Sequence, residues 1–380
     1  MEEKYTNYRL VAPYDLGVPK AEYRQVLKDV KNWDVVSVDT EITGNFEDIK
    51  ARRVALLQVS NGEITYTIDC RFIDARSLVS LISKKLCVGH NIKFDYQVIK
   101  ETFGISLTKM WDTMLAHMIR FCGLHDSNDL VTAVRRYVDP YAYSNQLNLF
   151  KPAISKKIRA TFASLDADDP ITIEQFFYAS EDAYYTFHLY HRLRADLEKE
   201  DLLEVIEFDN RYMAKLAEME LEGIPIDADK WRENAHKSAA NAQAALATLN
   251  KQALINWNSW QQVNTMFKDL GIDTTVFDRK TGEIKESVSK TALSKIQHPV
   301  VLEYLNYKKW MKLSTAYGED FLDKRSKIDG KIHTSFQQIM ATGRTSSSKP
   351  NLQQIPSSEE FRNCFEAPDD YTFIVADFSN

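Results

Sequence analysis

Apolar positions along the chain follow two regimes. Up to about residue 90 they come as short runs bounded by turn-forming residues, and beyond about residue 200 they recur at helical spacing. The first regime predicts strands at Val35–Glu41, Val54–Val59, Glu63–Asp69 and Leu86–Asn91, with Asn61-Gly62 as a hairpin turn between the second and third. Short helices are predicted over 20–32, where Tyr23, Val26, Leu27 and Val30 share a face, over 75–84, and from Ile92 to about Thr102. Strands first, then mixed with helices, indicate an α/β or α+β domain built on a mixed sheet. A long helical pattern runs from Ile173 to Lys199. Another runs from Leu203 to Leu221 and stops at Gly223, a residue suited to capping a helix C-terminus. Residues 228–256, Ala-rich and polar, extend the helical regime.

Length and composition narrow this only slightly. The chain has 380 residues, enough for two or three domains, and its 44% hydrophobic and 27% charged content is ordinary for a globular protein. The net charge of −6 does not suggest a nucleic-acid partner, but its distribution does. From Lys290 to Lys349 there are 11 Lys and Arg against 5 Asp and Glu. That stretch suits a phosphate backbone, and the acidic remainder suits a carboxylate metal site. Cys70, Cys87, Cys122 and Cys364 lack metal-ligand spacing, which predicts reduced thiols in a cytosol-like compartment. The N-terminal residues lack the basic and apolar regions of a signal peptide, no apolar run reaches membrane-spanning length, and no membrane partner is expected.

The candidate chemistry begins at Asp39 and Glu41. Two residues apart at the end of an apolar strand, they share one face and repel one another. A divalent cation is the usual compensator, although an isolated Asp-x-Glu more often faces water. Asp95 follows in Asn91-Ile92-Lys93-Phe94-Asp95, in the first turn of a helix, where the helix dipole alone favours a carboxylate. Tyr178 and Asp182, four apart in the long helix, share a face and can reach one point.

Taken in order, Asp-x-Glu, Asn-x-x-x-Phe-Asp and Tyr-x-x-x-Asp resemble the three exonuclease motifs of the DEDD superfamily, in the tyrosine-bearing subgroup of proofreading domains and ribonuclease D. Trp111-Asp112-Thr113-Met114 is similar to the helix start between that family's second and third motifs. The resemblance covers roughly residues 5–200 and implies an α/β ribonuclease H-like fold, a mixed sheet with flanking helices. It also implies two Mg²⁺ or Mn²⁺ ions about 4 Å apart, clamping the attacking and leaving oxygens of a phosphodiester. Asp39, Glu41, Asp95 and Asp182 would be their oxygen ligands, Tyr178 would orient the attacking water, and Asn91 would touch the DNA 3′ end. His90 is given no catalytic role.

The second half resembles family A DNA polymerases. Met219-Glu220-Leu221-Glu222-Gly223-Ile224-Pro225-Ile226-Asp227, Asn258-Ser259-Trp260-Gln261-Gln262-Val263 and Ser287-Val288-Ser289-Lys290-Thr291-Ala292-Leu293 are similar to segments of that family's helical thumb. Thr342-Gly343-Arg344-Thr345-Ser346-Ser347-Ser348-Lys349-Pro350-Asn351-Leu352-Gln353-Gln354-Ile355-Pro356 closely resembles the palm signature, with Gln354 in place of an Asn. The expected domains are an exonuclease at 1–200, a thumb at 201–328 and the first β segments of a palm at 329–380. Arg344 is suited to minor-groove acceptors present on every base pair. Ser346, Ser347, Asn351 and Gln353 are suited to sugar and phosphate, and Lys290, Lys308 and Lys309 to the backbone. From charge alone, Lys308, Lys309 and Lys312 read as a solvated helix face.

Phe373-Ile374-Val375-Ala376-Asp377 resembles the first strand of polymerase motif A, in which Asp377 would bind metal. The reading expects a buried apolar strand there and one half of a divided polymerase without a 5′ nuclease domain, completed by a second polypeptide or by splicing. The implied partners are a single-stranded 3′ end, primer–template DNA and the C-terminal polymerase half, in the cytoplasm or nucleoid of a bacterial or phage-infected cell. Two other readings stand beside it: a free-standing ribonuclease D-like exonuclease, and a DNA-binding polymerase subunit with a silent nuclease.

Overall fold

The computed structural model describes residues 7–121, 127–143, 158, 160–162, 164–165, 168–278, 281–340 and 342–376. They form two compact units. One comprises residues up to Gly223 together with Ser326–Gln353, and the other comprises Ile224–Arg325 together with the residues from Gln354 on. The functional divisions expected at 200 and 328 cut the chain at different points. The helix after residue 200 and the segment from 326 to 353 both pack in the first unit.

The first unit is built on a six-stranded sheet of β1 (Tyr8–Val11), β2 (Val35–Thr43), β3 (Arg53–Ser60), β4 (Thr65–Asp69), β5 (Leu86–Gly89) and β6 (Lys109–Asp112). Its order is β1-β4-β3-β2-β5-β6. β2, β3 and β4 are antiparallel, whereas β1, β5 and β6 join in parallel. Asn61 and Gly62 lie in the loop joining β3 to β4, where the Asn61 side chain accepts from the amides of Glu63 and Ile64. Helices α1 (Tyr23–Lys31), α2 (Arg76–Ile82), α3 (Ile92–Phe103), α4 (Thr113–Arg120), α5 (Leu130–Tyr137), α6 (Ile173–Lys199) and α7 (Leu203–Glu222) complete the unit.

Strand alternation assigns the layers. Thr67 of β4 meets Ser180 of α6 at 2.7 Å. Its neighbour Tyr66 points the other way and donates to Asp29 of α1 at 2.5 Å. The sheet therefore lies between α6 and α1. Val36 and Val38 of β2 are fully buried in the core shared with Val26, Val30, Leu78 and Val79. α7 ends at Gly223, whose φ of 63° and ψ of −179° suit glycine. A β-carbon there would also lie 2.6 Å from the His333 ring. The segment 326–353 adds a small antiparallel pair, β9 (Ser335–Gln337) with β10 (Ser346–Ser348).

In the second unit α8 (Ala228–Asn250) packs along α11 (Pro299–Ala316), with α9 (Trp260–Asp269), the hairpin β7 (Thr275–Asp278) and β8 (Glu283–Glu286), and the short helices α10 (Lys290–Leu293) and α12 (Glu359–Arg362) around them. Trp231 is its anchor. It stacks on Phe321 with ring centroids 4.4 Å apart and donates its indole N–H to the Gly318 carbonyl at 3.0 Å. The apolar run at 373–376 does not form the expected buried strand. Those residues are irregular, with Ile374 and Val375 89% and 93% exposed. Among the described residues no strand pairs with them, and a β-branched run without a neighbouring strand has no ladder to join.

Candidate active site

β2 places Asp39 opposite Gln58 and Glu41 opposite Leu56 of β3, and the register shifts directly after Glu41. The two acids share the face covered by α6. Glu41 is buried and Asp39 half-buried. α6 begins with a capping box between Thr172 and Gln175 and is held on the sheet at Ser180. Ser180 donates to the Phe176 carbonyl at 2.7 Å, so the Thr67 hydroxyl is the donor to Ser180. Tyr178, one turn before Asp182, is buried in a cluster with Leu56, the residue opposite Glu41. The Asp182 carboxylate accepts from the Tyr143 hydroxyl at 3.0 Å. Burial first, then the charges of Asp182 and Glu181, push the Tyr143 phenol well above its usual range, so it stays a donor.

Asp95 approaches from the other face. Asn91, in the left-handed region that Asn tolerates, caps the turn from β5 into α3. Its amide donates to Asp112 at 3.0 Å. Asp95 then accepts from the Thr40 hydroxyl at 2.7 Å, between the two acids of β2. Burial raises the Asp95 carboxyl to about 7, against the hydrogen bonds that favour its charge. Asp112, the N-cap of α4, is raised to about 6 by burial. His90 is fastened to Thr113 and to the Asn128 carbonyl, a structural placement.

β2 carries Asp39 and Glu41, the Asp95–Thr40 bond ties α3 to the same strand, and α6, with Tyr178 and Asp182, covers the sheet face that the two β2 acids share. Among the described residues no three His, Cys, Asp or Glu side chains form a ready cage for a metal ion. The donors are oxygen-only, which fits Mg²⁺ or Mn²⁺ in kind. Mg²⁺ typically keeps several waters and takes only one or two carboxylates together with substrate phosphate. Asp377 lies outside the described residues.

Of the expected DNA-contacting residues, Arg344 is exposed, with no hydrogen bond or ion pair among the described residues. Ser346 and Asn351 are half-buried and Gln353 is exposed, its amide donating to the Thr345 carbonyl at 3.0 Å. Ser347 differs from the expectation. It is buried, 2.6 Å from Thr334, and accepts from the Leu352 amide at 3.0 Å, so it fastens the loop instead of facing outward. In the second unit Lys290 opens α10, while on α11 Lys308 donates to Asn258 at 3.3 Å and Lys309 lies 4.7 Å from the Trp310 ring.

Sequence reasoning missed Thr40, Tyr143 and the exposed Phe46. Thr40 was hidden by its position between two acids, on the opposite strand face. Tyr143 sits 39 residues from its partner with no motif around it. Phe46 follows β2 and lies 5.7 Å from Phe94, with Arg52 over both rings.

The first unit has a ribonuclease H-like exonuclease fold, with its acids on the central strand and on the helices against it. Residues 19–198 match the sequence model for a 3′-5′ exonuclease, and residues 227–380 match that for DNA polymerase family A. DNA polymerase I of Chloroflexus aurantiacus is 33% identical over 221 residues, covering 53% of this chain and 23% of the relative. DNA polymerase I of Aquifex aeolicus is 26% identical over 373 residues, covering 94% of this chain and 60% of the relative. Among solved structures, the POL domain of Pol1 from M. smegmatis, in complex with DNA primer-template and dNTP, superposes with a TM-score of 0.72 at 22% identity, over 96% of this chain and 59% of that one. That likeness is one of fold. In these matches, sequence similar to a 3′-5′ exonuclease is followed by sequence similar to DNA polymerase family A. The chain spans less than two thirds of the length of each of these relatives.

Proposed function

We propose that the first unit is a 3′-5′ exonuclease that removes nucleotides from a single-stranded DNA 3′ end, and that the chain serves a family A polymerase as its proofreading part. The observation that carries this is the bond of Asp95 to Thr40, between Asp39 and Glu41 on β2, with the helix that bears Tyr178 and Asp182 covering the face these two acids share. Asp39, Glu41, Asp95 and Asp182 are the residues that would hold divalent cations. Bound there, two such ions would supply a hydroxide at neutral pH and charge neutralisation for the departing 3′ oxygen. Tyr178 orients the attacking water with its phenol. Tyr143 steadies Asp182 by the hydrogen bond at 3.0 Å. Burial of Glu41 and Tyr178 limits access of bulk water. Phe46, exposed beside Phe94, offers a ring on which a terminal base can stack.

Arg344, Ser346, Asn351 and Gln353 would grip a primer–template duplex, and Lys290, Lys308 and Lys309 would meet phosphates. No described helix is long and apolar enough to cross a membrane, and the reading places the protein with bacterial DNA in the cytoplasm. The test is a 5′-labelled oligonucleotide incubated with the purified chain in Mg²⁺ and in EDTA. Stepwise shortening in Mg²⁺ alone supports the proposal, and a stable oligonucleotide in both refutes it.

A further inference from the structure

Gln58 is fully buried on β3, and both its amide atoms lack a hydrogen-bond partner among the described residues. So does the hydroxyl of Ser37, also fully buried. Buried amides are almost always paired, so an orphan of this kind calls for a ligand or a partner in another state. Its place in the sheet says which. Gln58 lies opposite Asp39 of β2 on one side and Thr67 of β4 on the other, so all three side chains share the face beneath α6. Thr67 is already committed to Ser180. Directly opposed residues in an antiparallel pair hold their β-carbons about 4.5–5.5 Å apart, within reach of a glutamine amide.

We propose that Gln58 is a positioning residue for Asp39, its amide donating a hydrogen bond to the Asp39 carboxylate when that carboxylate holds a divalent cation. Metal-bound carboxylates are themselves hydrogen-bonded, and losing such a partner lowers metal affinity. Ser37, two residues before Asp39 on the same face, lies diagonally from Gln58. The inference rests on the proposed exonuclease site and adds a residue outside its acidic motifs.

The experiment is a Mn²⁺ titration of the full chain without DNA, by calorimetry or electron paramagnetic resonance, alongside thermal melting in EDTA. Wild type, Gln58→Met, Gln58→Asn and an Asp39→Asn background would be compared. We expect Gln58→Met to weaken Mn²⁺ binding about 10–100-fold, with the melting temperature in EDTA unchanged or higher. In the Asp39→Asn background the same substitution should change Mn²⁺ binding no further. Unchanged affinity in Gln58→Met overturns the proposal, as does a full additional loss in the Asp39→Asn background. Affinity and melting temperature falling together in both Gln58 variants would assign the residue to the core, which also overturns it. Failure of the wild type to bind Mn²⁺ would instead remove the exonuclease reading, and this inference with it.

Discussion

The hydroxyl of Thr40 donates to the carboxylate of Asp95 at 2.7 Å, joining the strand that carries two acids to the helix that carries the third. Burial holds the Asp95 proton up to about pH 7 in the folded chain. A carboxyl whose folded pKa is raised stabilises the fold fully below its unfolded pKa and loses that contribution as pH rises through the folded value. In EDTA, Asp95→Asn should therefore be more stable than wild type at pH 8, by roughly 2–4 kcal/mol for a shift of this size. The gap should close toward pH 4. Denaturant melts at the two pH values check this, and equal stability at pH 8 would contradict it.

The same proton competes with a cation. Mn²⁺ affinity should climb as pH rises through about 7, the value at which Asp95 ionises. Titrations at pH 6 and pH 8 test it, and a flat profile would remove Asp95 from the ligand set.

Glu220 fastens the β9 strand to α3. It is 2% exposed and pairs with Lys93 at 2.7 Å. It also accepts from Gln97 at 2.6 Å and from the Phe336 amide at 2.5 Å. Removing one partner of a buried, hydrogen-bonded pair strands the other groups, at a cost of about 3–5 kcal/mol. Glu220→Ala should lose that much in urea unfolding and loosen the 326–353 segment to hydrogen exchange. A loss within about 0.5 kcal/mol, the range of ordinary surface substitutions, would mean the network is dispensable.

Arg344 and Ser347 should separate in their effects although both lie in one loop. Arg344→Ala leaves the fold intact and should weaken primer–template binding by about 1–3 kcal/mol. Ser347→Ala removes a buried acceptor for the Leu352 amide and should lower stability first. Fluorescence anisotropy and thermal melts, run on both variants, distinguish the two roles. Equal binding by Arg344→Ala and wild type would count against the duplex-gripping assignment.

Much of this fold was legible where one element carries its own signal. The helical periodicity over Ile173–Lys199 coincides with α6, and the apolar run before Asp39 is β2. β1 escaped because its four residues, Tyr8 to Val11, gain meaning only through parallel pairing with β4 more than fifty residues on. The placement of 326–353 in the first unit escaped for a similar reason. It depends on Glu220, Lys93 and Asp209 meeting a segment over a hundred residues later. Local pattern also misled at Phe373–Ala376, where apolar residues lack a strand to pair with. At the site, the acids were singled out by the resemblance of three motifs taken in order. Thr40, Gln58 and Tyr143 were not, since their roles come from neighbours across the sheet and across the fold.

The most direct measurement follows a 5′-labelled primer with a mismatched 3′ end in Mg²⁺, using wild type and Asp182→Ala side by side. Wild type should shorten the primer stepwise. Asp182→Ala should leave its length unchanged while binding the same DNA with similar affinity. Shortening by Asp182→Ala at the wild-type rate would contradict the assignment of the site, and no shortening by wild type would contradict the exonuclease itself.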